Sequence, residues 1–126
     1  MKIDFHSHIL PGIDDGARTI DESVQLVTEM AGWGFERLTC TPHITKKFRN
    51  TEETIQEKFD LLRNALNDKG IDIDIRMSAE YRLNPEIWPD ILRKGQLMPI
   101  EDRFILMEFP INDPSDMGDL DPMQEF

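Results

Sequence analysis

Arg37-Leu38-Thr39-Cys40-Thr41 is a short strand-forming run that stops at Pro42, and segments of helical period stand on both sides of it. Upstream, Thr19 with Glu22 three residues later has the spacing of a capping box. Ile20, Val24, Val27 and Ala31 then fall on one helical face before Gly34 ends the segment. Downstream, Asn50 and Glu53 open a second helix, with Ile55, Phe59, Leu62 and Leu66 on its apolar stripe and Gly70 closing it. Farther out, Lys2-Ile3-Asp4-Phe5-His6 reads as a first strand followed by a loop marked by Pro11-Gly12 and Asp14-Asp15-Gly16. A third strand runs through Ile71, Ile73, Ile75 and Met77 to about Glu80. Asn84-Pro85 then supplies an N-cap and a first-turn proline for a helix that ends before Gly95. Phe104-Ile105-Leu106-Met107-Glu108-Phe109 is a fourth strand, apolar almost throughout, as expected of a strand covered on both faces. Residues 110–118 read as loop, and Asp119 onward as the opening turns of a further helix. Strands alternating with helices predict parallel βαβ units and an α/β fold.

The chain has 126 residues, enough for one domain with a real core and too few for two of ordinary size. Lys+Arg total 14 and Asp+Glu 25, a net charge of −11, so nucleic acid is not expected as a partner. No apolar run approaches the roughly 18 residues that span a bilayer, and no leader-like segment opens the chain. The expectation is a soluble, cytoplasmic protein without membrane insertion. The lone cysteine, Cys40, has no partner for an internal disulfide. A phosphate-cradling cysteine nucleophile needs an arginine six residues on, and position 46 is Lys46, so Cys40 reads as a core strand residue.

The residues with chemistry lie at strand ends. His6 and His8, two apart, present both imidazoles to one side with Cα atoms roughly 6.5 Å apart. Asp15, His43, Glu80 and Glu108 each end or follow a different strand. In a parallel sheet those ends form one rim, where ligands and catalytic groups gather. Glu108 interrupts an apolar strand, and an ionised carboxylate there costs several kcal/mol unless a metal ion or an arginine such as Arg103 partners it. Asp14 adjoins Asp15; one of the two suffices as a ligand, and such a neighbour is ordinarily a turn former. Imidazole and carboxylate without thiolate suit Mn, Fe, Zn or a similar ion, Mg among them, better than a structural zinc finger, and leave the choice of metal open. Two or more such ions clamp a phosphate oxygen and generate a hydroxide for in-line attack, which makes phosphoester hydrolysis the natural chemistry. Lys46, Lys47 and Arg49 form a basic cluster able to draw an anionic substrate to the rim.

The run His6-Ser7-His8-Ile9-Leu10-Pro11-Gly12-Ile13-Asp14-Asp15-Gly16 resembles the opening of the PHP-superfamily (polymerase and histidinol phosphatase) bacterial protein-tyrosine phosphatases of capsular and exopolysaccharide synthesis. Thr41-Pro42-His43, Ala79-Glu80 and Met107-Glu108-Phe109 follow in the order and spacing that family uses. The resemblance implies a distorted TIM-like β/α barrel holding up to three Mn-type ions, acting on the phosphotyrosine tail of a bacterial tyrosine kinase. It assigns His6 and His8 to one metal and Asp15 and His43 to another, with Glu80 bridging two ions and Glu108 as a further ligand. A metal-bound hydroxide would be the attacking group. It also implies that residues 1–126 are a single incomplete domain, the amino-terminal half of a barrel, since a closed barrel takes about 250 residues. Fewer than three ions are then expected, together with a homo-oligomer that covers the open sheet. The competing readings are a catalytically inactive metal-binding fragment, another PHP phosphatase such as one for histidinol phosphate, and a metal-dependent amidohydrolase. The run Gly12-Ile13-Asp14-Asp15-Gly16 favours the tyrosine phosphatase branch.

Overall fold

A computed structural model describes residues 1–86, 88–95 and 97–109 of the chain. The loop and helix read from Pro110 onward lie outside the described residues. The elements run β1 (Ile3–Ser7), α1 (Ile20–Gly32), β2 (Arg37–Cys40), β3 (His43–Ile44), α2 (Glu52–Asp68), β4 (Asp74–Met77), β5 (Glu80–Arg82), α3 (Trp88–Lys94) and β6 (Leu106–Glu108). They form two three-stranded sheets, β1-β2-β4 and β3-β5-β6, in which every pairing is parallel. The α/β class and the parallel βα units are as the sequence reads.

The second and third predicted strands each break in two, at Thr41-Pro42 and at Ser78-Ala79. Hydrogen bonding between them nevertheless continues across the break: Ser78 N donates to Cys40 O at 2.9 Å and Glu80 N to Pro42 O at 2.9 Å. The chain therefore bends without losing its pairing, and His43 and Glu80 emerge as register partners just beyond the bend.

The apolar stripes pack where periodicity puts them. Val24 and Val27 of α1 and Ile55, Phe59, Leu62 and Leu66 of α2 are buried with Leu38, Cys40 and Ile75 of the sheet. The helix starts differ from the sequence reading. Thr19 caps α1 by accepting from Glu22 N at 3.2 Å, but the Glu22 carboxylate turns to Arg18, so only half of the capping box forms. The α2 cap is Thr51, reciprocated by Thr54, rather than Asn50 with Glu53. Before α3, Asn84 makes capping contacts: its side chain accepts from Glu86 N at 2.8 Å and its carbonyl from Trp88 N at 2.9 Å. The fourth strand is also less covered than its apolar run suggests. Phe104 is 63 % and Phe109 54 % exposed, since among the described residues β6 is the last strand of its sheet.

At the opposite end from the candidate site, Glu101 and Asp102 take left-handed backbone (φ 53° and 59°) in the tight turn that leads to β6. That conformation costs about 1 kcal/mol or more per non-glycine residue. Ion pairs offset it: Glu101 meets Arg37 at 2.9 Å and Arg76 at 3.2 Å, and both arginines also reach Asp74.

Candidate metal centre

The parallel strands deliver the predicted side chains to one rim. His6 is the penultimate residue of β1 and His8 follows its end; His43 opens β3, Glu80 opens β5 and Glu108 closes β6. His6 Nε2 and His8 Nε2 lie 3.0 Å apart, and each is 3.0 Å from Glu80 Oε2. Ions of the Mn or Zn class hold such ligands at about 2.0–2.2 Å, so donor atoms on neighbouring coordination corners stand about 3.0–3.5 Å apart. The observed triangle has that spacing.

A second group shares Glu80. His43 Nδ1 is 3.4 Å from Glu80 Oε2 and 3.7 Å from Glu108 Oε2. Both His43 Nδ1 and Glu108 Oε2 are buried without a hydrogen-bond partner. Each such atom costs about 1–3 kcal/mol when left unsatisfied. A cation between them would satisfy both, and the donor set fits one. Glu108 does meet an arginine, Arg82 at 3.4 Å, but through Oε1, which leaves Oε2 turned to His43. A third group forms where Asp15 Oδ1 comes within 3.3 Å of His43 Nε2, with His8 and Asp14 alongside. All six predicted residues thus enter one cluster of three overlapping groups.

Asp14 has a larger part than turn formation. Its Oδ1 accepts from Gly16 N at 2.9 Å, while its Oδ2 takes His8 Nδ1 at 2.9 Å and the backbone N–H of His43 at 3.1 Å. One fully buried carboxylate therefore fixes the His8 ring through Nδ1 and ties β3 to the loop after β1, the arrangement that orients metal-ligating histidines. Gly16 is required by the same loop, since a Cβ there would lie 2.2 Å from His8 O. Asn50 adds a tie, donating from Nδ2 to His43 O at 2.8 Å and to Ile13 O at 3.0 Å. Its place one residue before a threonine cap gives no sequence signal of that role.

Donation to Asp14, and next to Glu80, pushes the His8 imidazole up to about 10. Burial pushes the Glu80 carboxyl up, but the bonds from His8 and His6 outweigh it and hold it below its usual range. Asp14 is likewise held low, its burial outweighed by His8 and by two backbone N–H groups. Cys40 is fully buried in β2, and burial pushes its thiol up to about 12, so it is a core residue. Beside the cluster opens a cleft of about 420 Å³, whose walls include His43, Glu108, Lys46, Lys47, Phe48 and Arg82. Two of the three residues of the basic cluster line it; Arg49 instead donates to Lys46 O at 3.2 Å.

The family model for capsular polysaccharide synthesis, CpsB/CapC, matches residues 2–117. The chain belongs to this family. It is 30 % identical over 112 residues to the putative tyrosine-protein phosphatase CapC of Staphylococcus aureus, covering 88 % of this chain and 44 % of that one. It is 32 % identical over 112 residues to the tyrosine-protein phosphatase YwqE of Bacillus subtilis (87 % and 44 %), and 31 % over 112 residues to CpsB of Streptococcus pneumoniae (87 % and 46 %). The fold superposes with a TM-score of 0.76 and 31 % identity on a chain from the crystal structures of YwqE and CpsB, described as unique metal-dependent tyrosine phosphatases, covering 86 % of this chain and 44 % of that one. The chain thus spans a little under half the length of the relatives it matches. Among the described residues, no helix is long and apolar enough to cross a membrane.

Proposed function

We propose that this chain supplies the His/Asp/Glu metal cluster of a metal-dependent tyrosine-protein phosphatase of capsule synthesis, acting on the phosphotyrosine tail of a bacterial tyrosine kinase. The observation that carries the reading is the pair of buried, unsatisfied atoms, His43 Nδ1 and Glu108 Oε2, turned to the same point as Glu80. His6, His8 and Glu80 would hold one ion; His43, Glu108 and the shared Glu80 a second; and Asp15 with His43 would contribute to a third position. Manganese is the ion proposed. When bound, such ions draw charge from phosphoryl oxygens and lower the pKa of water. The chain's own residues do the rest. Asp14 keeps His8 and His43 in place, Glu80 keeps two ion positions at a fixed spacing, and Lys46 and Lys47 raise the local potential for an anionic ester.

The fold proposed for the whole assembly is a distorted β/α barrel, to which this chain gives four βα units. The edges β1 and β6 carry exposed Phe5, Met107 and Phe109, which supports association of copies in solution, and the compartment proposed is the cytoplasm. Multi-angle light scattering of the purified chain is expected to give a dimer or larger; a monomer at micromolar concentration refutes the association.

The functional test is metal content and hydrolysis of a phosphotyrosine peptide, measured together with added Mn²⁺ on the chain and on a His6→Ala/His8→Ala control. Turnover lost in the control is the expected result. Metal bound without turnover supports the alternative of an inactive metal-binding fragment. Neither metal nor turnover removes the cluster as a working centre. Histidinol phosphate serves as the comparison substrate and is expected to be hydrolysed less well.

A further inference from the structure

Three rings stand in near-parallel succession from the cluster into the cleft. His8 and His43 stack at 4.4 Å between centroids and 28° between planes, and His43 and Phe48 follow at 6.0 Å and 15°. Phe48 is held there by its backbone. Its N–H donates to Thr45 Oγ1 at 2.9 Å, and its carbonyl accepts from Thr45 N and Asn50 N, both at 2.9 Å. The side chain is half-buried and lines the cleft. The Lys47 ammonium lies 5.3 Å from the Phe48 ring centroid. Lys46, by contrast, is paired with Glu86 at 3.0 Å.

A half-buried aromatic fixed at a cleft wall is an odd choice for binding phosphate alone, because a phosphoryl group gains nothing from a ring face. It suits a planar leaving group. Aromatic pairs prefer offset or edge contacts at centroid separations of about 4.5–7 Å. A substrate ring in offset or edge contact with Phe48 would therefore lie in the cleft with its phosphoryl end toward His43 and Glu108. The cleft volume, about 420 Å³, lies in the range of small-molecule sites and leaves room for the ring and its attached backbone.

We propose that Phe48 is a specificity-determining residue: it seats the aryl ring of the substrate in offset or edge contact and so selects aryl over alkyl phosphate esters. This rests on the phosphatase reading, since it takes the ester's phosphoryl group to lie at the metal cluster. Lys47 adds charge next to that ring, which favours an anionic ligand of either kind and does not itself discriminate.

The test is equilibrium binding to the Mn²⁺-supplemented chain, measured by isothermal titration calorimetry with the non-hydrolysable probes phenylphosphonate and ethylphosphonate. The expected result is a preference for phenylphosphonate of about threefold to tenfold, the strength of one aromatic pair. In Phe48→Ala the preference should vanish while bound manganese is unchanged. Phe48→Leu, which keeps apolar packing against His43, guards against misfolding and should lose the preference as well. Equal binding of both probes by the wild-type chain overturns the role of Phe48 and leaves the phosphatase reading intact, as does a preference that survives in both variants. Failure of both probes to bind overturns the two together.

Discussion

Replacing Asp14 with asparagine separates its role in the turn from its role in holding the ligands. The carboxylate accepts three hydrogen bonds: from Gly16 N at 2.9 Å through Oδ1, and from His8 Nδ1 at 2.9 Å and His43 N at 3.1 Å through Oδ2. Asparagine keeps one acceptor, which serves Gly16 and preserves the turn. Its amide nitrogen then faces two donors, so His8 loses its charge-assisted partner and the His43 N–H loses its acceptor. Loss of such an orienting partner lowers metal affinity by about 10- to 100-fold, or roughly 1.4–2.7 kcal/mol. Isothermal titration of the purified chain with Mn²⁺ measures this directly. Circular dichroism establishes that the helices persist, and Asp15→Asn, on an exposed side chain, gives the cost of losing one outer group. Affinity for Mn²⁺ within twofold of wild type in Asp14→Asn would refute the idea that Asp14 positions the cluster.

Further outcomes follow from the same geometry. His8 has its folded-state pKa raised from about 6.5 to about 10, so its pairing stabilises the metal-free chain fully below pH 6.5 and is lost as pH rises toward 10. Thermal melts in chelator should therefore show a larger loss between pH 6.5 and 10 for wild type than for His8→Gln, and equal slopes would count against the pairing. Gly16→Ala places a Cβ 2.2 Å from His8 O and 2.5 Å from His8 Cβ. Urea denaturation should show about 1–3 kcal/mol of destabilisation, accompanied by weakened Mn²⁺ binding, and a variant normal in both would contradict the close approach. Cys40, buried in β2, should resist a thiol-specific chromogenic reagent at pH 8 in the native chain and react in urea; prompt native reaction would show that β2 is open.

Much of the candidate site's convergence was legible because parallel strands fix where their ends go. Once residues 2–6, 37–41, 71–80 and 104–109 read as parallel strands, His6, His8, Asp15, His43, Glu80 and Glu108 had to share a rim. What escaped depends on contacts that no period encodes. The bends at Thr41-Pro42 and Ser78-Ala79 keep their interstrand hydrogen bonds, so nothing in the local pattern marks Ser78-Ala79 as a break. Asp14 and Asp15 are chemically alike in sequence, and only the fold of the loop buries one against His8 and leaves the other 66 % exposed. The apolar run of residues 104–109 signals burial, yet coverage depends on neighbours beyond the strand, and among the described residues β6 is the last strand of its sheet. Phe48 follows three polar residues and precedes Arg49; its alignment with His43 comes from the Thr45 turn.

The paired bends have a mechanical consequence. His43 and Glu80 sit opposite each other immediately past the crease, joined by the Glu80 N to Pro42 O bond, whereas the bonding of β1 to its neighbour runs only as far as Thr41. A tilt of the upper layer about that crease would carry His43, Glu80 and β6 with Glu108 as one plate. Spacings inside that plate are conserved under the motion, and the change falls on the gap to His6 and His8 and on the Asp14 and Asn50 bonds that tie β3 to the loop after β1. If the cluster takes ions, tolerance for different radii would be concentrated on the side of Glu80 that faces His6 and His8.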